Sequence, residues 1–427
     1  MKRKIKVYTP ENISLFKKKL FKWSNQFNTS VCLDSNNYND RLGDLDAIVA
    51  TDVHSKLPFT KSNSLNKLEA YLKETNDWLF GYFSYDLKNE LEDLKSNNYS
   101  EFDFPNLFFF QPKKIWIIKS RNVEAHYLYP SEIESDLDDI HTQKINDKNI
   151  KSEIKLFPRL SKSQYEEKIN KLLFHINRGD IYEANFCMEW FSNDSNICPF
   201  NVYDKLNQIS KNPMSAFFKQ NDTYLLSSSP ERYIKRINNK IITQPIKGTS
   251  RRDNDKVIDL NLKKDLTQDP KERSENIMIV DLVRNDLSRF SKPGSVKVTE
   301  LCKVYPFEKV HQMISTVESQ IDSNLKMTDV IKATFPMGSM TGAPKIKALN
   351  IIEKLEVSKR GLYSGALGYV DPRGNFDFNV VIRSLIYDHK NKYLSFQVGS
   401  AITSNSSPEK EYQECLLKAE PMLSIFK

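Results

Sequence analysis

Glycine is scarce in this chain: 12 of 427 residues, where average usage would give roughly 30. That excludes collagen-like and glycine-linker designs. Seven of the 12 (Gly338, Gly342, Gly361, Gly365, Gly368, Gly374 and Gly399) lie between positions 338 and 399. The residue that lets a backbone approach closely, or take positive φ, is therefore concentrated in one stretch. Cysteine is also sparse. The five cysteines are scattered and never form a C-x-x-C pair, which excludes a zinc ribbon or disulfide framework and suits a reducing compartment. No apolar run approaches the ~18 residues of a membrane helix, and the basic residues 1–6 precede no signal-type apolar stretch. The expectation is a cytoplasmic protein that uses no membrane. The net charge is +8, with acidic and basic residues interleaved, so a nucleic-acid partner is not expected; a small anionic substrate suits the mild positive bias.

Common catalytic signatures are missing as well. There is no G-x-G-x-x-G, no H-E-x-x-H among six histidines, and no G-x-C-x-G or G-x-S-x-G nucleophile turn. Residues 338–345 superficially resemble a phosphate loop, but the spacing is wrong and Pro344 is expected to block the usual helix start.

What the chain does have is ample core material, 39% hydrophobic and 11% aromatic, with strands and helices mixed along one large unit. That indicates an α+β fold. Residues 1–130 alternate strand-like runs (78–85, 107–110, 115–118) with charged helical pieces. The polar stretch 131–155 reads as a boundary or surface insertion, and 156–427 follows as the main region. A helix with Ser163 and Glu166 as capping box carries the apolar stripe Ile169, Leu172, Leu173 and Ile176 and ends at Gly179. Strands are expected at 181–191, 224–229, 233–237 and 241–246, with Asn238-Asn239 as a hairpin turn. Asp269-Pro270 and Ser407-Pro408 open two further helices.

Those two helices carry the first chemical signal. Glu272 and Glu275 are spaced i,i+3 on one face, and Glu411 and Glu414 repeat the spacing on the other helix. Such pairs suit a hard cation such as Mg²⁺; equally, any acidic helix supplies them, and Glu272 also fits a capping role. Lys247, in Pro-Ile-Lys-Gly-Thr at 245–249, ends a strand just before a glycine. Placed in a buried pocket its pKa would fall and free the amine as a nucleophile.

Eight ordered blocks then match something known. They are 179–185 (Gly-Asp-Ile-Tyr-Glu-Ala-Asn), 229–232 (Ser-Pro-Glu-Arg), 245–249, 272–282, 310–315, 335–345, 382–384 (Ile-Arg-Ser) and 411–414 (Glu-Tyr-Gln-Glu). Together they resemble the chorismate-utilising enzymes, which include the anthranilate, aminodeoxychorismate, isochorismate and salicylate synthases. The resemblance implies a large α/β sandwich of the anthranilate synthase component I type, two twisted sheets flanked by helices. It implies chorismate as substrate and Mg²⁺ as cofactor, with Glu275 and Glu414 as main metal ligands and Glu272 and Glu411 beside them. Arg383 and Lys418 match partners of a substrate carboxylate. Gly248, Thr249, Ser339, Tyr363 and Gly399 match pocket-lining positions. Glu231 matches the general acid that protonates the departing 4-hydroxyl, and His311 matches an active-site histidine.

Within the family, Lys247 selects a branch. Pro-Ile-Lys-Gly-Thr is similar to the aminodeoxychorismate synthases, where anthranilate synthases have alanine at the lysine. The implied reaction is amination of chorismate to 4-amino-4-deoxychorismate, a precursor of p-aminobenzoate and folate. In it Lys247 attacks C2 and ammonia then attacks C4. The ammonia is expected from a separate glutaminase subunit. Anthranilate synthase component I is the nearest alternative, and a non-catalytic scaffold binding chorismate or a glutaminase is a second.

Three features depart from the pattern. Glu183 stands where relatives have Lys or Gln, and reads as either a structural acceptor or a base for ammonium or water. Ser400 and Ala401 replace glycines after Gly399, which is compatible with substrate contacts only if their φ is negative. Residues 32–35 and 78–87 resemble the pieces of a tryptophan pocket in some relatives, or else form a buried hairpin core.

Overall fold

Period-two alternation makes the long strands two-faced, and the strand Leu107–Lys119 displays it best. The structure, a computed structural model, describes residues 3–38, 45–60, 62–92, 94–145 and 154–427. In that strand Phe108, Phe110, Ile115 and Ile117 enter an inner core, while Phe109 enters a second cluster and Trp116 and Ile118 a third. The alternation changes phase between Phe110 and Ile115, around Pro112, which has no N–H to give a neighbour. Two strand-like runs in the sequence are thus one continuous strand.

This strand joins two limbs of antiparallel sheet. One limb runs from Leu107–Lys119 through Ala47–Lys56, Thr29–Asp34, Met214–Gln220, Thr223–Ser229, Ser384–Asp388 and Tyr393–Ile402 to Glu183–Ser192. The other passes through Leu79–Phe83, Ala366–Val370, Phe376–Asn379, Arg232–Ile237 and Lys240–Gln244 to Val310–Gln320, which is flanked by Ile246–Arg251 and Lys297–Pro306. The inner core, with Ile48, Tyr82, Phe218, Leu367 and Ile386, lies between the limbs. Helices cover both outer faces through the other two clusters. The result is the expected mixed sandwich, its two sheets joined through a shared strand.

Local sequence explains the helices that position the site. Asp269 caps Pro270–Ser288 by accepting from the Lys271 and Glu272 amides, with Pro270 in the first turn. Ser407 and Pro408 begin Pro408–Ser424. The helix Lys162–Asn177 has its capping box two residues earlier than expected: Ser161 and Gln164 form it, not Ser163 and Glu166. This choice turns Tyr165 and Ile169 fully into the core. Within the polar stretch 131–155, Ile133–Thr142 is a helix with Ile133 and Ile140 fully buried, and residues 146–153 lie outside the described residues. The cluster holding those isoleucines extends from Phe16 to Phe426, so packing continues across this stretch. Among the described residues no helix is long and apolar enough to cross a membrane.

Candidate active site

The two acidic helices meet. Lys271 Nζ lies 3.8 Å from Glu275 Oε1 and 3.9 Å from Glu411 Oε1, bridging one carboxylate pair to the other. Glu275 and Glu411 are buried, and among the described residues Glu275 Oε1 and Glu411 Oε2 have no hydrogen-bond partner. Burial pushes the Glu275 carboxyl up to about 7. Burial, and then Glu414, raises Glu411. Glu414 goes the other way: Lys418, 2.6 Å away, outweighs its burial and holds it below the usual carboxylate range. Orphaned buried carboxylate oxygens, all hard donors, with a lysine ammonium between them, are a donor set that fits a divalent cation such as Mg²⁺. Among the described residues no three Asp, Glu, His or Cys side chains stand close enough together to hold a metal ion as they are. An open set of this kind leaves positions for water and substrate oxygens.

Lys247 enters from the strand Ile246–Arg251 at a register shift between Ile246 and Thr249. Gly248 makes the irregularity possible. Its φ is +93°, and an added Cβ would lie 3.1 Å from Met313 Cβ and 3.2 Å from Glu272 Oε2. Asn276, one residue past Glu275, donates to the backbone carbonyls of Lys247 and Met313 and fixes the bulge against the acidic helix. Lys247 Nζ lies 3.4 Å from Glu183 Oε1. The expectation of a lowered pKa fails. Burial alone would lower it, but Glu183, Glu275, Glu414 and Glu231 together outweigh burial and hold the ammonium above its ordinary value.

Glu231 is buried where the strand Arg232–Ile237 begins, and accepts a hydrogen bond from Ser339 Oγ at 2.8 Å. Burial lifts its carboxyl to about 7, against the opposing effects of Ser339 and Lys247. A carboxylic acid that keeps its proton near neutral pH can donate it to a leaving oxygen. The turn that carries Ser339 is braced from behind. Lys345 is buried and donates to Asp286 Oδ2 at 2.6 Å and to the Thr334 carbonyl. A lysine so engaged is not a phosphate ligand, and Pro344 caps the helix Lys345–Leu355 instead of blocking it.

The remaining predicted residues divide. Arg383 has φ +53° and donates to the Lys418 carbonyl. Among the described residues no carboxylate is paired with it, and burial lowers its pKa; a substrate carboxylate would complete it. Lys418 donates to the Gly399 carbonyl at 2.8 Å. Tyr363 is buried, its hydroxyl 4.0 Å from Cys187 Sγ. At Gly399 a Cβ would meet Cys187 Sγ at 2.6 Å, so the neighbouring strand demands this glycine. Ser400 and Ala401 are not among the positive-φ residues and sit in regular pairing with Phe186 and Asn185. Ser400 Oγ shares a hydrogen bond with Tyr165 OH, which explains how serine is accommodated. Thr249 is exposed and donates to Gln312 Oε1. His311, the adjacent residue on that strand, is buried and held through Nε2 by Asp259 at 2.9 Å, with Arg252 on the same carboxylate. Successive strand residues face opposite sides, so Gln312, not His311, partners Thr249. Sequence reasoning missed Gln312, Asn276 and Asp259; Asn276 had a signal in its place beside Glu275, while Asp259 lies 52 positions from its histidine.

Of the two segments resembling a tryptophan pocket, Leu79–Phe83 is wholly buried in the core. Leu33, Asp34 and Ser35 line a cavity of about 70 Å³ with Arg232, Lys235 and Asp377.

The family model described as chorismate binding enzyme matches residues 29–424. The chain belongs to the chorismate-binding enzymes. It is 38% identical over 267 residues to aminodeoxychorismate synthase component 1 of Salmonella typhimurium, covering 62% of this chain and 58% of that protein. The match to the anthranilate synthase component I-like protein of Synechocystis is 32% over 368 residues, covering 85% of this chain and 75% of that protein. In fold it is similar to anthranilate synthase component I of Streptococcus pneumoniae, with a TM-score of 0.79 at 24% identity over 88% of this chain and 91% of that one. This chain thus spans less than two thirds of the aminodeoxychorismate synthase it matches.

Proposed function

We propose that this chain is the chorismate-aminating component of an aminodeoxychorismate synthase, working in the cytoplasm with ammonia from a separate glutaminase subunit. The observation that carries the reading is Lys247, a half-buried amine held on a glycine bulge beside the Glu183 carboxylate of the site. Identity to aminodeoxychorismate synthase component 1 supports it. Arg383 and Lys418 bind and orient substrate carboxylate; Glu275, Glu414, Glu272 and Glu411 hold Mg²⁺. When bound, Mg²⁺ supplies charge stabilisation at the ring carboxylate as the hydroxyl departs. Glu231 gives its proton to that hydroxyl. The Lys247 amine forms a bond to C2, and ammonia then bonds to C4 and releases the lysine. No pyruvate is lost.

A second reading, anthranilate synthase component I, is favoured by the longer match to the Synechocystis protein. Identifying the product separates the two. Chorismate, Mg²⁺ and an ammonium salt are expected to yield aminodeoxychorismate. Anthranilate with pyruvate would establish the second reading, and no turnover would leave the scaffold. With glutamine as donor, activity is expected only after a glutaminase subunit is added.

A further inference from the structure

We infer that Glu183 is a catalytic residue: it takes the proton from the Lys247 ammonium when substrate covers the site, and so generates the nucleophilic amine. The inference rests on the amination reading and adds a residue to it. Among the described residues Glu183 is the carboxylate in ion-pair contact with Lys247, while Glu275, Glu414 and Glu231 act on it through charge at longer range. Glu275 and Glu414 belong to the cation set, and Glu231 is engaged by Ser339 and carries the proton for the leaving hydroxyl. Glu183 has none of these duties. Its Oε1 lies 3.4 Å from Lys247 Nζ, its Oε2 has no hydrogen-bond partner, and it is 1% exposed.

Its backbone is fixed on both sides. Glu183 pairs with Ala343, and the next residue, Ala184, pairs with Ile402. Gly342 allows the contact, since a Cβ there would lie 2.2 Å from the Glu183 carbonyl. A buried carboxylate with a vacant oxygen, clamped beside an ammonium that must lose a proton, is placed as a base.

The protons balance. Lys247–NH₃⁺ and Glu183–COO⁻ become Lys247–NH₂ and Glu183–COOH. The amine lone pair forms the N–C2 bond, both ring double bonds shift by one position toward C4, and the C4–O bond breaks as Glu231–COOH protonates the oxygen to give water. Ammonia then forms the N–C4 bond, both double bonds shift back, and the N–C2 bond breaks. Product leaves as an ammonium, lysine as a free amine that recovers its proton from Glu183, and one solvent proton restores Glu231.

Glu183→Gln in the full chain is the test, read in two ways. In the substrate-free protein, reductive methylation of Lys247, followed by peptide mass spectrometry, is expected at lower pH than in wild type, because one of four carboxylates is gone. With chorismate, Mg²⁺ and ammonium, kcat at neutral pH is expected to fall by about 10²-fold or more with the chorismate KM little changed, and the ratio of variant to wild-type kcat is expected to climb with pH. Glu183→Asp is expected to recover part of the rate. A freer lysine with slower turnover is the signature of a missing proton acceptor. Wild-type or faster turnover in Glu183→Gln would overturn the role, and so would an equal loss at every pH or unchanged lysine labelling. If wild type itself forms anthranilate or no product, the amination reading fails and the role falls with it; if wild type makes aminodeoxychorismate and only the variant behaves as wild type, the role of Glu183 alone fails.

Discussion

Two acidic clusters in this molecule bury carboxylates in opposite ways. At the cavity beside Leu33, Asp377 is buried yet met by Arg232 Nε and Lys235 Nζ, each at 2.9 Å. Burial would raise its pKa, but the two cations outweigh it and hold it below the usual range. At the chorismate-family site, Glu231 and Glu275 are comparably buried and rise to about 7. The difference is cation supply. Asp377 has two cations in direct contact, whereas the site spreads Lys247, Lys271 and Lys418 over six glutamates and leaves oxygens unpartnered. Structural burial satisfies charge within the chain, while the site leaves charge for a cation and a substrate to satisfy.

Substitutions can break this contrast, and their effects should descend in order. Glu231→Gln keeps the Ser339 contact but removes the donated proton, and kcat is expected to fall about 10²–10⁴-fold. The wild-type rate should decline as pH rises through about 7, where the protonated form of Glu231 disappears; the variant should lack that limb. Stability gives an independent reading of sign. Between its ordinary 4.5 and about 7, folded Glu231 holds a proton that the unfolded chain has lost. This group's contribution to stability therefore falls as pH rises across that window, and urea melts at pH 5 and 8 should differ less in the variant.

Asp377→Asn removes the buried carboxylate that meets Arg232 and Lys235 and is expected to cost about 3–5 kcal/mol in equilibrium unfolding. Glu275→Gln should do the reverse. Without Mg²⁺ it relieves an unsatisfied charge and should raise Tm by a few degrees, while abolishing the rise that Mg²⁺ is expected to give the wild type in a thermal melt. Lys171→Ala, which removes the exposed Glu167 pair, should leave Tm unchanged, since neither group lost water on folding.

The legible parts of the sequence were those where local chemistry decides. Asp269-Pro270 and Ser407-Pro408 marked two helix starts because capping and proline geometry act within one turn. The i,i+3 glutamates were visible for the same reason. Ser161 and Ser163 offered competing caps, and burial of Tyr165 chose between them, a tertiary preference invisible in the cap residues. The amphipathic helix Ile133–Thr142 was hidden by its polar setting. The partner of His311, Asp259, lies 52 positions away and no local reading finds it. The raised pKa of Lys247 depends on carboxylates from four separate segments, and no local reading combines them.

Lys271 has a consequence for how the acidic site is loaded. Its ammonium stands between Glu275 and Glu411 on a tether that belongs to the chain. Under the proposed chemistry, an arriving divalent ion enters by exchange, swinging this side chain toward solvent. Between turnovers Lys271 thus offers these two carboxylates part of the counter-charge that the ion would supply. Occupancy becomes a competition whose strength the length of one side chain sets, and the ion is released as readily as the lysine returns.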